Sequence, residues 1–167
     1  MPELTSKERL QPSLLDRLTD EERDTRQEAR DKRVLSLQKF RVAVLRDISW
    51  LFNSINLSAV EDLEAYPLVS HSVLNYGLPD ISGRVVSNID PLMVERILRQ
   101  ALWDYEPRIL RNSVRIRHAP DPRSQSHNAL MFEIEGELWA QPTPLRLYLR
   151  TELDLEEGKV TISERAG

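Results

Sequence analysis

The sequence predicts an α+β domain, with N-terminal helices packed on an antiparallel four-stranded meander. Three observations carry that prediction. Apolar residues recur at three- and four-residue steps from Val34 to Ile55, and again from Leu92 to Tyr105, the period of helices that bury one face. From Val114 onward the period falls to two and stays there through four runs, as in strands with one face in a core. Helices come first and strands follow with short links, so strands adjacent in sequence are expected to pair antiparallel.

Residues 1–33 read as a charged N-terminal arm and 34–167 as a single α+β domain. The stretch TDEERDTRQEARDKR, Thr19 to Arg33, has almost no apolar residue to bury. Glu22 and Arg26 stand at a helical spacing that supports an exposed helix. Before it, PSLLDRL places Leu14, Leu15 and Leu18 on one face of a short helix, an apolar anchor for this domain or for a partner.

The first long helix is expected in VLSLQKFRVAVLRDISWLFNSI, with Val34, Leu37, Val44, Leu45, Ile48, Leu51, Phe52 and Ile55 as its stripe. Arg46 and Asp47 fall off that stripe. SAVEDLEAYP reads as a connection with about one helical turn. PLVSHSVLNYG reads as a short helix, Pro67 in its first turn and Gly77 at its end. After a turn-rich link, Asp90 caps a second long helix and Pro91 opens it. Its face is Leu92, Val94, Ile97, Leu98, Ala101, Leu102 and Tyr105. Pro107 lacks an amide hydrogen and pushes Glu106 out of helical geometry, so this helix stops there. The strands follow: Val114 and Ile116; Phe132, Ile134 and Leu138; Leu145, Leu147, Leu149, Thr151, Leu153 and Leu155; Val160 and Ile162.

Composition narrows the chemistry. Among 167 residues there is no cysteine, which excludes disulfides, thiolate metal sites and a cysteine nucleophile. A net charge of −4 speaks against general nucleic-acid binding. No apolar run reaches the roughly 18–20 residues of a membrane span, and no secretory signal is expected at the start, so direct membrane insertion is not expected. There is no phosphate-cradling glycine loop, no HExxH and no GxSxG, and no cofactor is expected. His71, His118 and His127 lack metal-ligand spacing. Glu133, Glu135 and Glu137 alternate with apolar residues and share one wet face, where nothing drives two of them into different acid–base roles. Arg115 and Arg117 share a strand face and are expected to lie beside those glutamates rather than form a phosphate strip. The helix–strand corner, Glu106-Pro107-Arg108, sets an acid and a base two residues apart, either as a solvated turn with a surface ion pair or as a grip on the fold or a partner through charge-assisted hydrogen bonds.

These residues also carry a resemblance. PSLLDRL, the long first helix, HSVLNYGLPDISG, YEPRIL, FEIEGEL and PLRLYLRTELDLEEGKVTI, in that order from about Pro12 to Ile162, resemble the TssE family of type VI secretion baseplate subunits. That family is similar to phage tail baseplate wedge proteins long labelled lysozyme-like. The resemblance implies a fold like the handshake domain of a contractile sheath, and a cytoplasmic place at the membrane-docked baseplate. It implies partners in the wedge (TssF, TssG and TssK) and in the sheath (TssB and TssC, assembled above the Hcp tube). The family's Glu-Pro-Arg motif maps onto Glu106, Pro107 and Arg108 and is tied to assembly rather than hydrolysis, so no enzyme activity is expected. A sheath strand is expected to add at a free sheet edge, with Leu147 and Leu149 or Val160 and Ile162 as the template. Which of those strands is the edge stays open. A peptidoglycan-degrading hydrolase is the alternative, and a nucleic-acid adaptor comes third.

Overall fold

The computed structural model describes residues 13–18, 37–83, 89–119, 128–140 and 144–164. Most of the expected charged arm, Val34 and His127 lie outside the described residues.

Among the described residues, four α-helices precede the strands. They are α1 (Leu14–Leu18), α2 (Leu37–Phe52), α3 (Pro67–Ser70) and α4 (Pro91–Tyr105). The four strands are β1 (Arg115–His118), β2 (Ala129–Leu138), β3 (Leu145–Asp154) and β4 (Val160–Glu164). They form one antiparallel sheet in the order β1-β2-β3-β4, the expected meander.

The two-residue period of the strands decides the core. Ile134 lies opposite Leu149, Phe132 opposite Thr151 and Leu130 opposite Leu153, all buried on one face. Onto that face pack Phe40, Val44, Ile48, Leu51 and Phe52 of α2 and Val94, Leu98 and Leu102 of α4. Helix α2 lies toward β4 and α4 toward β1. The opposite face alternates in charge: Arg115 and Arg117 on β1 stand across from Glu135 and Glu133 on β2, and Glu133 and Glu137 across from Arg150 and Arg146 on β3. Opposite charges at paired positions stabilise a sheet modestly, about 0.2–1 kcal/mol each. They also leave no basic strip.

Several expectations need correction. Leu37 and Ile55 are exposed, and Phe40 and Ala43 are buried instead: α2 starts at Leu37 and ends at Phe52, so Leu37 stands at its first turn and Ile55 lies beyond it. The 67–77 segment is two turns rather than one helix. Helix α3 ends at Ser70, and Ser72 caps a separate 3-10 turn, Val73–Asn75, by accepting from the Leu74 amide. Gly77 does not merely end a helix. Its φ is +123°, and a Cβ there would stand 2.4 Å from the Ser54 carbonyl oxygen. That close approach lets Leu78 donate to Ser54 and Asn56 donate to Leu78, a parallel bridge beside the end of α2.

Candidate functional site

Helix α4 ends as the proline requires. Asp90 accepts from the Leu92 amide at its start, and the Glu106 amide donates to Leu102 at its end. The chain then turns onto the sheet. The Trp139 amide donates to the Arg108 carbonyl at 2.7 Å and the Leu110 amide to Glu137 at 2.9 Å. Gly136 makes room for this, because a Cβ there would stand 3.2 Å from the Ile109 side chain. The corner is thereby stitched to the far end of β2.

Glu106 is only 3% exposed. Such a carboxylate must be paired. Arg108 Nε donates to its Oε1 at 2.7 Å and Nη2 to its Oε2 at 2.5 Å, while the Arg108 amide also donates to Oε1. The guanidinium reaches further: Nη2 donates to Asp47 Oδ2 on α2 at 2.7 Å. Asp47 Oδ1 in turn accepts from Arg46 Nε and Nη2, and Arg46 Nη1 donates to Asp16 Oδ1 on α1 at 2.6 Å. Ser13 closes the chain by donating to Asp16 Oδ2 and accepting from the Asp16 amide. Three carboxylates and two guanidiniums thus alternate from the corner to α1 and leave one net negative charge.

The proton affinities follow this wiring. Burial works against the Arg108 charge, but the bonds and charge of Glu106, then Asp47, outweigh it and raise its pKa. Asp16 is held below its ordinary value: burial opposes ionisation, and Arg46 with Ser13 overcomes it. Burial first, then the charges of Asp47 and Glu106, push the Tyr76 phenol up.

Beside this wiring lies an open groove of about 450 Å³. Leu15, Trp50, Leu51, Tyr76, Tyr105 and Pro107 supply its apolar surface, and Asp47, Glu106 and Arg108 its charged wall. Pro107 is exposed at its rim. Of the expected apolar anchor, the Leu14 side chain lies outside what is described. Leu15 lines the groove, Leu18 faces water, and Asp16 makes the bond to the domain.

The four strand residues expected to template a partner part company. Leu147 and Leu149 lie on β3, an inner strand, with core side chains and paired to Gly136 and Ile134 of β2. In an antiparallel ladder a residue aims both main-chain groups at one neighbour. At Leu147 and Leu149 that neighbour is β2, so neither offers an edge. The edge is β4. Asp154 accepts no outside strand either, since its amide donates to Lys159, and this sets the alternation that turns Val160 and Ile162 outward. Val160 is already occupied: Asn53 at the end of α2 donates to its carbonyl at 2.8 Å and accepts from its amide at 2.9 Å. Arg41 donates to the Arg146 carbonyl on the same side of β3. Among the described residues, the outward groups of Ile162 meet no such partner. The other edge, β1, is covered by α4, and Glu95 accepts from the His118 amide.

Sequence reasoning missed Asp47, Arg46, Asp16 and Asn53. Local sequence signals only that they lie off an apolar stripe.

Comparison with known proteins adds a family. A family model described as baseplate wedge protein gp25 matches residues 38–143, more than half of the chain. The match takes in α2, α4, the corner, β1 and β2. No curated protein and no solved structure matches.

Proposed function

Because the chain belongs to the baseplate wedge protein gp25 family and so has a structural baseplate role, we propose that it joins the wedge of a type VI secretion baseplate to the contractile sheath. In this reading it acts at the cytoplasmic face of the membrane-docked baseplate and starts sheath polymerisation. Among the described residues no helix is long and apolar enough to cross a membrane.

The observation that carries the reading is the double engagement of Arg108. By gripping buried Glu106 and, through Asp47, the middle of α2, it makes the corner rigid while Pro107 stays outside. A rigid, exposed turn beside an apolar groove suits docking, because little order is lost on binding. The wedge subunits TssF, TssG and TssK are the partners proposed for the corner, met through Pro107 and Arg108, while buried Glu106 holds Arg108 in place. A strand of the sheath proteins TssB and TssC is proposed to add at β4, centred on Ile162 and reaching Val160 when Asn53 lets go. Backbone pairing at an open edge supplies affinity, and alternate side chains supply choice of partner.

The hydrolytic alternative needs two acids with different duties in one cleft. All four carboxylate oxygens of the groove's acids, Glu106 and Asp47, accept from arginine donors, which argues against that chemistry. The alternating charges on the open sheet face likewise argue against a nucleic-acid adaptor.

The test is an in-cell sheath assay with co-purification of the wedge subunits. Arg108→Ala is expected to lose the wedge and the sheath together. Ile162→Pro is expected to keep the wedge and lose the sheath, since its missing amide faced outward. Normal sheaths in both variants, or peptidoglycan clearing by the wild type that Glu106→Gln abolishes, would overturn the reading.

A further inference from the structure

The segment between α2 and α4 presents its apolar residues the wrong way round for a self-contained domain. Leu68 is 89% exposed, Val73 81% and Val60 78%, and Tyr66 and Leu74 also face water. Meanwhile two of its polar side chains, Asn56 and Asn75, are buried. Asn75 accepts from the Ser58 amide and donates to the Ser70 carbonyl, joining the 3-10 turn Leu57–Ala59 to α3. Tyr105 of α4 donates to the carbonyls of Ser72 and Asn75. Asn56, also buried, accepts from Ser58. The segment is thus ordered by polar bonds, and that order leaves Val60, Tyr66, Leu68, Val73 and Leu74 exposed. Ordering a chain costs entropy that burial normally offsets. Several exposed apolar groups on one rigid segment mark a contact surface.

Its charge says what fits. Between Arg46 and Arg84 the sequence holds no lysine or arginine, but it holds Asp47, Glu61, Asp62, Glu64 and Asp80. We infer that the Leu57–Tyr76 segment is a third docking surface, next to the Glu-Pro-Arg corner, whose groove Tyr76 lines, and apart from the β4 edge, and that it takes a basic amphipathic helix of a neighbouring subunit. Apolar residues of that helix cover Val60, Tyr66, Leu68, Val73 and Leu74, and its lysines or arginines meet Glu61, Asp62 and Glu64. A second copy of this chain would set like charges against each other. The chain's own stretch from Thr19 to Ser36 brings six acids against five bases, and so offers no complementary charge.

The probe is a pair of synthetic helical peptides of about 18 residues sharing one leucine pattern, with lysine at every polar position of one and glutamate at those of the other. Binding to the full chain is read by fluorescence anisotropy, and its place by hydrogen exchange. The lysine peptide is expected to bind and to slow exchange within residues 57–76, and the glutamate peptide to bind at least about tenfold more weakly. The triple variant Leu68→Ser, Val73→Ser, Leu74→Ser is expected to weaken the lysine peptide by about tenfold or more with an unchanged melting temperature. Glu61→Gln, Asp62→Asn, Glu64→Gln together are expected to weaken it and to flatten its salt dependence. Val42→Ser, at an exposed apolar site on α2, is the control expected to change nothing. Equal binding of both peptides, protection elsewhere, or wild-type binding by the triple variant would overturn the inference. So would concentration-dependent dimerisation that the triple variant abolishes. Should the triple variant fail to fold, the exchange map of the wild type decides alone. None of these readouts depends on wedge or sheath proteins, so failure here is distinct from failure of the proposed function.

Discussion

Arg108 Nη2 donates to Asp47 Oδ2 at 2.7 Å across 61 residues of chain, while the same guanidinium holds Glu106 two residues before it. One side chain therefore ties the end of α4 to the middle of α2. A bidentate fork suits this task, and a lysine ammonium would not, because it cannot satisfy both Glu106 oxygens and Asp47 in fixed geometry.

Arg108→Ala is expected to leave the Glu106 carboxylate buried without its partner and to cost about 3 kcal/mol. Removing Glu106 as well relieves that penalty. In a double-mutant cycle by chemical denaturation, the double alanine variant should be more stable than the sum of the single losses predicts, by at least about 1 kcal/mol. Strict additivity would mean that the two side chains do not share a bond in solution.

The clasp of α1 should release in acid. Asp16 has a folded-state pKa below its ordinary value, so its contribution is fully present above that value and fades as pH falls through the lower folded one. The guanidinium of Arg46, held by Asp16, also lies 4.9 Å above the Trp50 ring, so losing Asp16 lets it move against that ring. The Trp50 indole resonance should therefore shift in a step below about pH 4. Asp16→Asn should show the released position at neutral pH and lack the step. A step that persists in Asp16→Asn would assign it to another group.

Asn53 acts as a stand-in strand, because its side-chain amide offers Val160 the same donor and acceptor that a neighbouring peptide would. Asn53→Ala should speed amide exchange at Val160, cost about 1–2 kcal/mol, and raise the tendency to self-associate along β4. Asn53→Asp keeps the acceptor and loses the donor, so Val160 should remain protected while stability falls. Sedimentation velocity reads the association. A monomer in Asn53→Ala at high concentration would show that the edge has other guards.

Two glycines with positive φ should respond differently. At Gly77 a Cβ meets the Ser54 carbonyl, so Gly77→Ala should cost about 3 kcal/mol and loosen the bridge between Ile55 and Leu78. At Gly83 nothing lies within 4 Å, and Gly83→Asn should cost less than about 1 kcal/mol. Thermal melts that rank them the other way would refute the role given to Gly77.

Proline scanning separates inner strand from edge. Leu147→Pro removes a ladder donor aimed at β2 and should abolish the folding transition. Ile162→Pro removes a donor aimed outward and should keep a cooperative melt. A folded Leu147→Pro variant would contradict the strand order.

Local pattern was enough for much of this molecule. Alternation from Val114 to Ile162 specified four strands, their buried faces and their meander, because a two-residue period admits one buried face and short links admit one pairing. Asp90, Pro91 and Pro107 set both ends of α4, since capping and the missing proline amide act within a few residues. The Glu106–Arg108 pair was legible for the same reason.

Contacts made at a distance were not legible. Nothing near Asp47 announces Arg108, nothing near Asn53 announces Val160, and the alternation of Leu147 reads the same on an inner strand as at an edge. In the strands the chain's periodicities determined which residues face inward, because a two-residue period leaves one buried face; in the helices Leu37, Ile55 and Leu92 broke the pattern. Only the packing of α2 across the sheet decided which charged and amide groups on its rim would pair, because a hydrogen bond needs donor and acceptor within about 3 Å and sequence separation says nothing of that distance.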